Sequence, residues 1–162
     1  MKRIMLPAIL GAAAVVATAC SSGASLYGGS AAAPSASAAT TGVAVGVGNS
    51  NIGPLLVDEA GRSLYLFEAD TTSSSTCYDA CAQAWPPLLA GTATPKVEAG
   101  VTATELGTTK RKDGSTEVTY NGHPLYYYVA DTKPGDITGQ ALNQFGADWY
   151  VVGPSGSKID KG

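Results

Sequence analysis

The sequence predicts a mainly β domain of two similar hairpin-based repeats, packed as a small sandwich or barrel-like body with one short helix. Three observations carry that expectation. First, Gly61-Arg62-Ser63-Leu64-Tyr65-Leu66-Phe67-Glu68-Ala69-Asp70 aligns without a gap on Gly122-His123-Pro124-Leu125-Tyr126-Tyr127-Tyr128-Val129-Ala130-Asp131, sharing Gly, Leu, Tyr, Ala and Asp; such self-similarity marks a repeated structural unit. Second, the side chains alternate as strands do. Leu64 and Leu66 fall on one face with Tyr65 and Phe67 on the other, and Leu125 with Tyr127 opposes Tyr126 with Tyr128. Both faces are apolar or aromatic, so burial on both sides is expected. Third, turn chemistry flanks these runs: Glu59-Ala60-Gly61 before the first, and Asp113-Gly114 and Asn121-Gly122 before the second, spaced to close successive hairpins.

At the N-terminus, Lys2 and Arg3 precede an apolar stretch from Ile4 to about Val16, then Ala17, Thr18, Ala19 and Cys20. This is the plan of a secretory signal peptide over 1–19. The stretch is shorter than the ~20 apolar residues a membrane span needs, and it carries Pro7. A thiol directly after a small-residue cleavage site resembles the lipobox of bacterial lipoproteins, which implies that Cys20 is the lipid attachment site. Ala17 stands where that motif commonly has Leu, and Ala17-Thr18-Ala19 also satisfies ordinary signal peptidase, which leaves plain secretion as the alternative. Residues 20–57 hold no Asp, Glu, Lys or Arg, and 21–50 are mostly Ala, Ser, Gly and Thr. Residues 20–51 are therefore expected to be a flexible tether. The folded domain is expected over 52–157, with repeat 1 at about 54–90, repeat 2 at about 105–153, and a tail over 158–162.

Inside the domain the one helical candidate is Tyr78–Ala84, with a cap from among Ser73, Ser74, Ser75 and Thr76 and a stop at Pro86-Pro87. The second half reads as a meander of about three strands. A Trp follows each repeated run, Trp85 before Pro86-Pro87 and Trp149 before Tyr150-Val151-Val152.

The chain has ten basic and thirteen acidic residues. Removal of the signal with Lys2 and Arg3 leaves it more acidic, which argues against nucleic acid or anionic lipid headgroups as partners. With Cys20 carrying lipid, Cys77 and Cys81 remain as a pair in an oxidising compartment, where a disulfide is the default.

Each repeated run contains Tyr-x4-Asp, as Tyr65 with Asp70 and Tyr126 with Asp131. Around them stand Cys77-x3-Cys81-x3-Trp85-Pro86-Pro87, then Gly114 to Tyr120 leading into Asn121-Gly122, and Gly135-Asp136-x-x-Gly139-Gln140 ahead of Trp149. Over roughly 52–155 these residues resemble the bacterial secreted-repeat lipoproteins with the Tyr-x4-Asp motif, a family of unknown function. The resemblance implies a location on the outer face of the bacterial cytoplasmic membrane and a repeat architecture, and it implies no catalytic mechanism.

The sites that could carry chemistry are few. Cys77 and Cys81, four apart, read as a staple holding a Ser/Thr-rich loop near Trp85, or as a redox or copper-handling pair with His123 as the one candidate third ligand. Asp70 and Asp131 could be paired carboxylates, or cation ligands with Asp136. Their recurrence in two units instead favours a structural task done twice, a tyrosine and an aspartate fixing a strand end. The Tyr and Trp residues could offer a stacking surface for cell-wall polysaccharide. There is no phosphate-binding loop, zinc spacing or Ser/His/Asp arrangement. The expectation is a non-enzymatic envelope module without cofactor or metal, anchored to the membrane by lipid, whose partner is cell-wall polysaccharide or another envelope protein.

Overall fold

Apolar residues alternating on short strands, with glycine-bearing turns between them, build nine strands and one short helix in a computed structural model that describes residues 42–161. The expected signal peptide, Cys20 and the part of the expected tether up to residue 41 lie outside the described residues. In chain order the elements are β1 (Ala44–Ser50), β2 (Gly53–Asp58), β3 (Tyr65–Phe67), α1 (Ala80–Ala84), β4 (Lys96–Val97), β5 (Leu106–Lys110), β6 (Thr116–Tyr120), β7 (His123–Pro124), β8 (Leu142–Gln144) and β9 (Ala147–Val151). They form three three-stranded sheets, ordered β2-β1-β4, β3-β9-β8 and β5-β6-β7, and none closes into a barrel.

The expected meander is β5-β6-β7, antiparallel throughout, with Leu106 opposite Tyr120 and Tyr120 opposite His123. Asn121 and Gly122, at φ 48° and 79°, make the tight link between β6 and β7, the left-handed pair that a two-residue hairpin requires. The alternation on the repeated runs holds. Leu64, Leu66 and Leu125 enter one buried cluster with Val45, Leu56, Leu88, Val118 and Val152. Tyr65, Phe67 and Tyr126 enter a second with Trp85, Trp149 and the two cysteines.

Three boundaries differ from expectation. Residues 44–50 are not tether but β1, paired along its length with β2, and Val45 is fully buried. Val43, Val45 and Val47 alternate with glycine and alanine, and their burial outweighs the low-complexity composition. The tail is shorter than expected, because Lys158 pairs with Val152 and Ile159 donates its N–H to the carbonyl of Val151. The helix begins at Ala80, two residues late, and Asp79 at its N-cap makes no side-chain capping bond. Ser75 and Thr76, expected caps, are held elsewhere by Tyr126 and Asp70.

The second repeated run shows why the two runs are not equally strand-like. Tyr126 lies across from Pro87, and Tyr127 donates to the carbonyl of Pro86. Proline has no N–H to return, so the rung at Pro86 is one-sided, and the next bond runs from the N–H of Val129 to the carbonyl of Ala84, already inside α1.

Matching backbone bonds relate the two halves. Leu64 donates to Leu56, Leu56 to Val152, and Val152 back to Leu64; Leu125 donates to Val118, Val118 to Leu88, and Leu88 back to Leu125. The two sets meet where Tyr65 and Tyr126 exchange N–H···O bonds, each 2.9 Å. In each set the run of one repeat is stitched to the post-tryptophan segment of the other in the same order, so the halves follow an internal two-fold relation centred on the two tyrosines.

Candidate functional site

The tyrosines and aspartates of the repeated runs exchange partners. The Tyr65 hydroxyl donates to Oδ2 of Asp131 at 2.6 Å, and the Tyr126 hydroxyl donates to Oδ2 of Asp70 at 2.6 Å. The sequence suggested a bond fixing the strand end within each unit; the structure places it between units. The backbone explains the exchange: Tyr65 and Tyr126 lie opposite each other across the two-fold centre, so each side chain reaches past its neighbour's strand end. The other oxygen of each aspartate orders a loop. Oδ1 of Asp70 accepts from the N–H and hydroxyl of Thr76, and Oδ1 of Asp131 accepts from the N–H and hydroxyl of Thr138. Burial pushes both phenols well above the ordinary tyrosine range. For Tyr65 the bond to Asp131 adds to that shift, and for Tyr126 the charges of Glu117 and Asp70 add.

The aromatic rings repeat this exchange. Trp85 and Trp149 stack with centroids 4.0 Å apart, Tyr128 stacks on Trp85 at 4.2 Å, and Phe67 stacks on Trp149 at 4.0 Å. Each tryptophan is thus covered on its outer face by the run of the other repeat. Tyr65 meets Trp85, and Tyr126 meets Trp149, edge-on at 5.2 Å in both cases, a favoured geometry for aromatic pairs. Gln144 serves both indoles, its side-chain oxygen accepting from Trp85 and its carbonyl from Trp149. Gly139 passes so close to Trp85 that a Cβ there would lie 2.6 Å from the ring.

Cys77 and Cys81 are bonded to each other, with Cα atoms 5.2 Å apart, and both are buried. His123 sits on β7, where it lines a surface cleft with Asp70 and Lys158. With both sulfurs in the bridge there is no thiolate pair for it to join. Among the described residues no group of three His, Cys, Asp or Glu side chains is placed to hold a metal ion. Asp136 caps its own loop, accepting from the N–H groups of Thr132 and Lys133, and does not join Asp70 and Asp131.

A second buried polar group was not expected. Arg111 and Glu117, on either side of the β5–β6 turn, form an ion pair with both side chains buried. Arg111 also donates to the Ser75 hydroxyl and to the carbonyl of Cys77. Ser75 bonds Tyr126, so the cluster runs from Asp70 through Tyr126 and Ser75 to Arg111 and Glu117. Burial pushes the Glu117 carboxyl up to about 7, against the pull of Arg111 and with help from the charge of Asp70. In sequence Lys110-Arg111-Lys112-Asp113 looks like a solvated turn. By strand alternation Glu117 shares a face with Thr119, opposite Val118 and Tyr120, so nothing in the sequence signals that this face is covered.

Two surface clefts flank the repeated runs. One, about 230 Å³, is lined by Arg62, Ser63, Pro86, Tyr127, Tyr128, Val129 and Asp131. The other, about 390 Å³, is lined by Leu66, Phe67, Glu68, Asp70, Thr71, His123, Ser157 and Lys158. The alignment of the runs maps Arg62 to His123, Tyr128 to Phe67, Val129 to Glu68 and Asp131 to Asp70. The clefts are therefore equivalent places of the two repeats with different walls. In the second, Glu68 and Lys158 form an ion pair at 2.7 Å. In the first, the Arg62 guanidinium lies 4.0 Å over the Tyr127 ring and pairs through Nε and Nη2 with Asp58, while its side chain stays half exposed.

No helix among the described residues is long and apolar enough to cross a membrane. A family model described as a secreted repeat of unknown function matches the chain twice, at residues 46–89 and 107–153, together more than half its length. No curated protein and no solved structure matches the chain significantly.

Proposed function

This chain belongs to the family of secreted repeats of unknown function, and from that premise we propose that it is a lipid-anchored, non-enzymatic binding or structural module of the cell envelope. One observation carries the reading. The conspicuous polar residues of the repeats, Tyr65 with Asp131 and Tyr126 with Asp70, are spent on holding the two halves together. A carboxylate that already accepts a phenol and orders a loop through its other oxygen is poorly placed to move a proton for a substrate. The chemistry of the motif is that of a lock, and what remains for partners is the surface around it.

The anchor rests on Cys20 and the small residues before it, and a tether from Cys20 into the low-charge segment holds the domain off the bilayer. The buried Cys77–Cys81 bridge acts as a staple, positioning the carbonyl of Cys77 for Arg111. Feeding expressing cells an alkyne-bearing fatty acid tests the anchor. Wild-type chain should carry label and sediment with membranes, and Cys20→Ala should lose both. Unlabelled wild type, or label kept by Cys20→Ala, overturns it.

A further inference from the structure

We infer that the cleft between Arg62 and Asp131 is a saccharide site that takes one neutral pyranose unit of an envelope glycan. The inference deepens the binding-module reading and rests on it. Three features of the walls converge on this ligand class.

The first is a fixed donor. Nε and Nη2 of Arg62 are held by Asp58, and the Tyr127 ring supports the guanidinium plane from below. Among the described residues Nη1 has no hydrogen-bond partner, and the side chain is half exposed. A donor whose rotamer is already set loses little entropy when a ligand oxygen meets it. The second is a fixed acceptor. Oδ2 of Asp131 carries one hydrogen bond, from Tyr65, and a carboxylate oxygen has room for a second. The third is a flat apolar floor. Tyr128 is backed by Trp85 on one face and lines the cleft with Pro86. Pyranose rings present a C–H face for such a surface and hydroxyls on the rim that both donate and accept. The volume of about 230 Å³ suits a single ring.

Charge selects within the class. Asp58 already neutralises Arg62, and Asp131 adds a further negative group. The cleft therefore has no surplus positive charge to offset the desolvation of a sugar carboxylate, and a neutral ring is favoured over a uronate. The equivalent cleft of the other repeat is an internal contrast. Its counterpart of Arg62 is His123, its counterpart of Tyr128 is the buried Phe67, and its counterpart of Val129 is Glu68, tied to Lys158.

The test is saturation-transfer difference NMR on the full chain, with methyl β-glucopyranoside, the methyl glycoside of N-acetylglucosamine and methyl β-glucuronide as probes. Neutral rings should receive saturation at weak, millimolar affinity, and Arg62→Ala should weaken them about tenfold. Val129 is 56% exposed, so Val129→Asp leaves the fold intact while putting a carboxylate on the cleft wall, and it should weaken binding comparably. No transfer from either neutral probe at about 50 mM, unchanged binding in Val129→Asp, or preference for the glucuronide each overturns the site. Sedimentation of the same preparation with isolated cell envelopes separates the two levels. Silent probes with envelope retention intact refute the saccharide site alone, and loss of retention by the wild-type chain refutes the module reading itself.

Discussion

Replacing Tyr126 by Phe deletes one hydroxyl and keeps the ring that packs edge-on against Trp149. The hydroxyl donates to Asp70 at 2.6 Å and meets the Ser75 hydroxyl at 2.6 Å, in a place with no solvent access. Loss of a hydrogen bond to a charged acceptor costs about 1.5–3 kcal/mol, and the stranded oxygen of Asp70 places the variant towards the upper end. Stability alone does not identify the partner, but coupling does. In a double-mutant cycle of Tyr126→Phe with Asp70→Asn, the two changes remove the same bond, so an interaction energy of about 1–2 kcal/mol is expected. The cycle of Tyr126→Phe with Asp131→Asn should be additive to within about 0.5 kcal/mol, because those groups share no bond. The mirror pair, Tyr65→Phe with Asp131→Asn, should couple in turn. Urea unfolding followed by tryptophan fluorescence supplies the energies, since both indoles lie in the affected cluster. Stronger coupling of Tyr126 to Asp131 than to Asp70 would refute the exchange and restore a bond within each unit.

Two further predictions address the buried network and the bridge. Glu117 holds its proton up to about pH 7 in the folded chain but only to about 4.5 when unfolded; the folded state thus binds more protons between these values, and stability should fall by roughly 3 kcal/mol as pH rises across that window and level off above it. Glu117→Gln should flatten this slope in urea unfolding series at pH 4.5 and 7.5, and an unchanged slope would assign it to other groups. The Cys77–Cys81 loop spans four positions, and loop-closure entropy for so short a ring predicts a loss of about 2 kcal/mol in the double Ser variant; native thiol counts should stay at zero for this pair under mild reductant, and rapid reduction of the folded chain would instead favour a redox role.

Much of the fold was legible because the two repeated runs state their period openly. Leu64, Tyr65, Leu66 and Phe67 sort to opposite clusters as period-two alternation requires, and Asn121-Gly122 makes the hairpin its chemistry specifies. Composition misled at β1, where Val43, Val45 and Val47 are spaced by residues too small to signal a strand. The partner exchange was out of reach for a different reason. Tyr65 and Asp70 are near in sequence, and the distance from Tyr65 to Asp131, 66 positions away, is closed only by the backbone bonds between Tyr65 and Tyr126. Likewise the Arg111–Glu117 pair depends on which face of β6 is covered, and Arg111 is covered by Ser75 and Cys77 from the other repeat.

The exchanged tyrosines also bear on how such a chain could arise. A polypeptide with one repeat would carry a phenol with no carboxylate to receive it, and a tryptophan bare on its outer face. Two copies of that polypeptide, meeting about a true two-fold axis, would satisfy each other completely. The present molecule is then a dimer written into one chain, and its linker through β4 is the joint. The halves are not identical, since His123 stands where the first run has Arg62 and Glu68 where the second has Val129, yet the lock between them is symmetric.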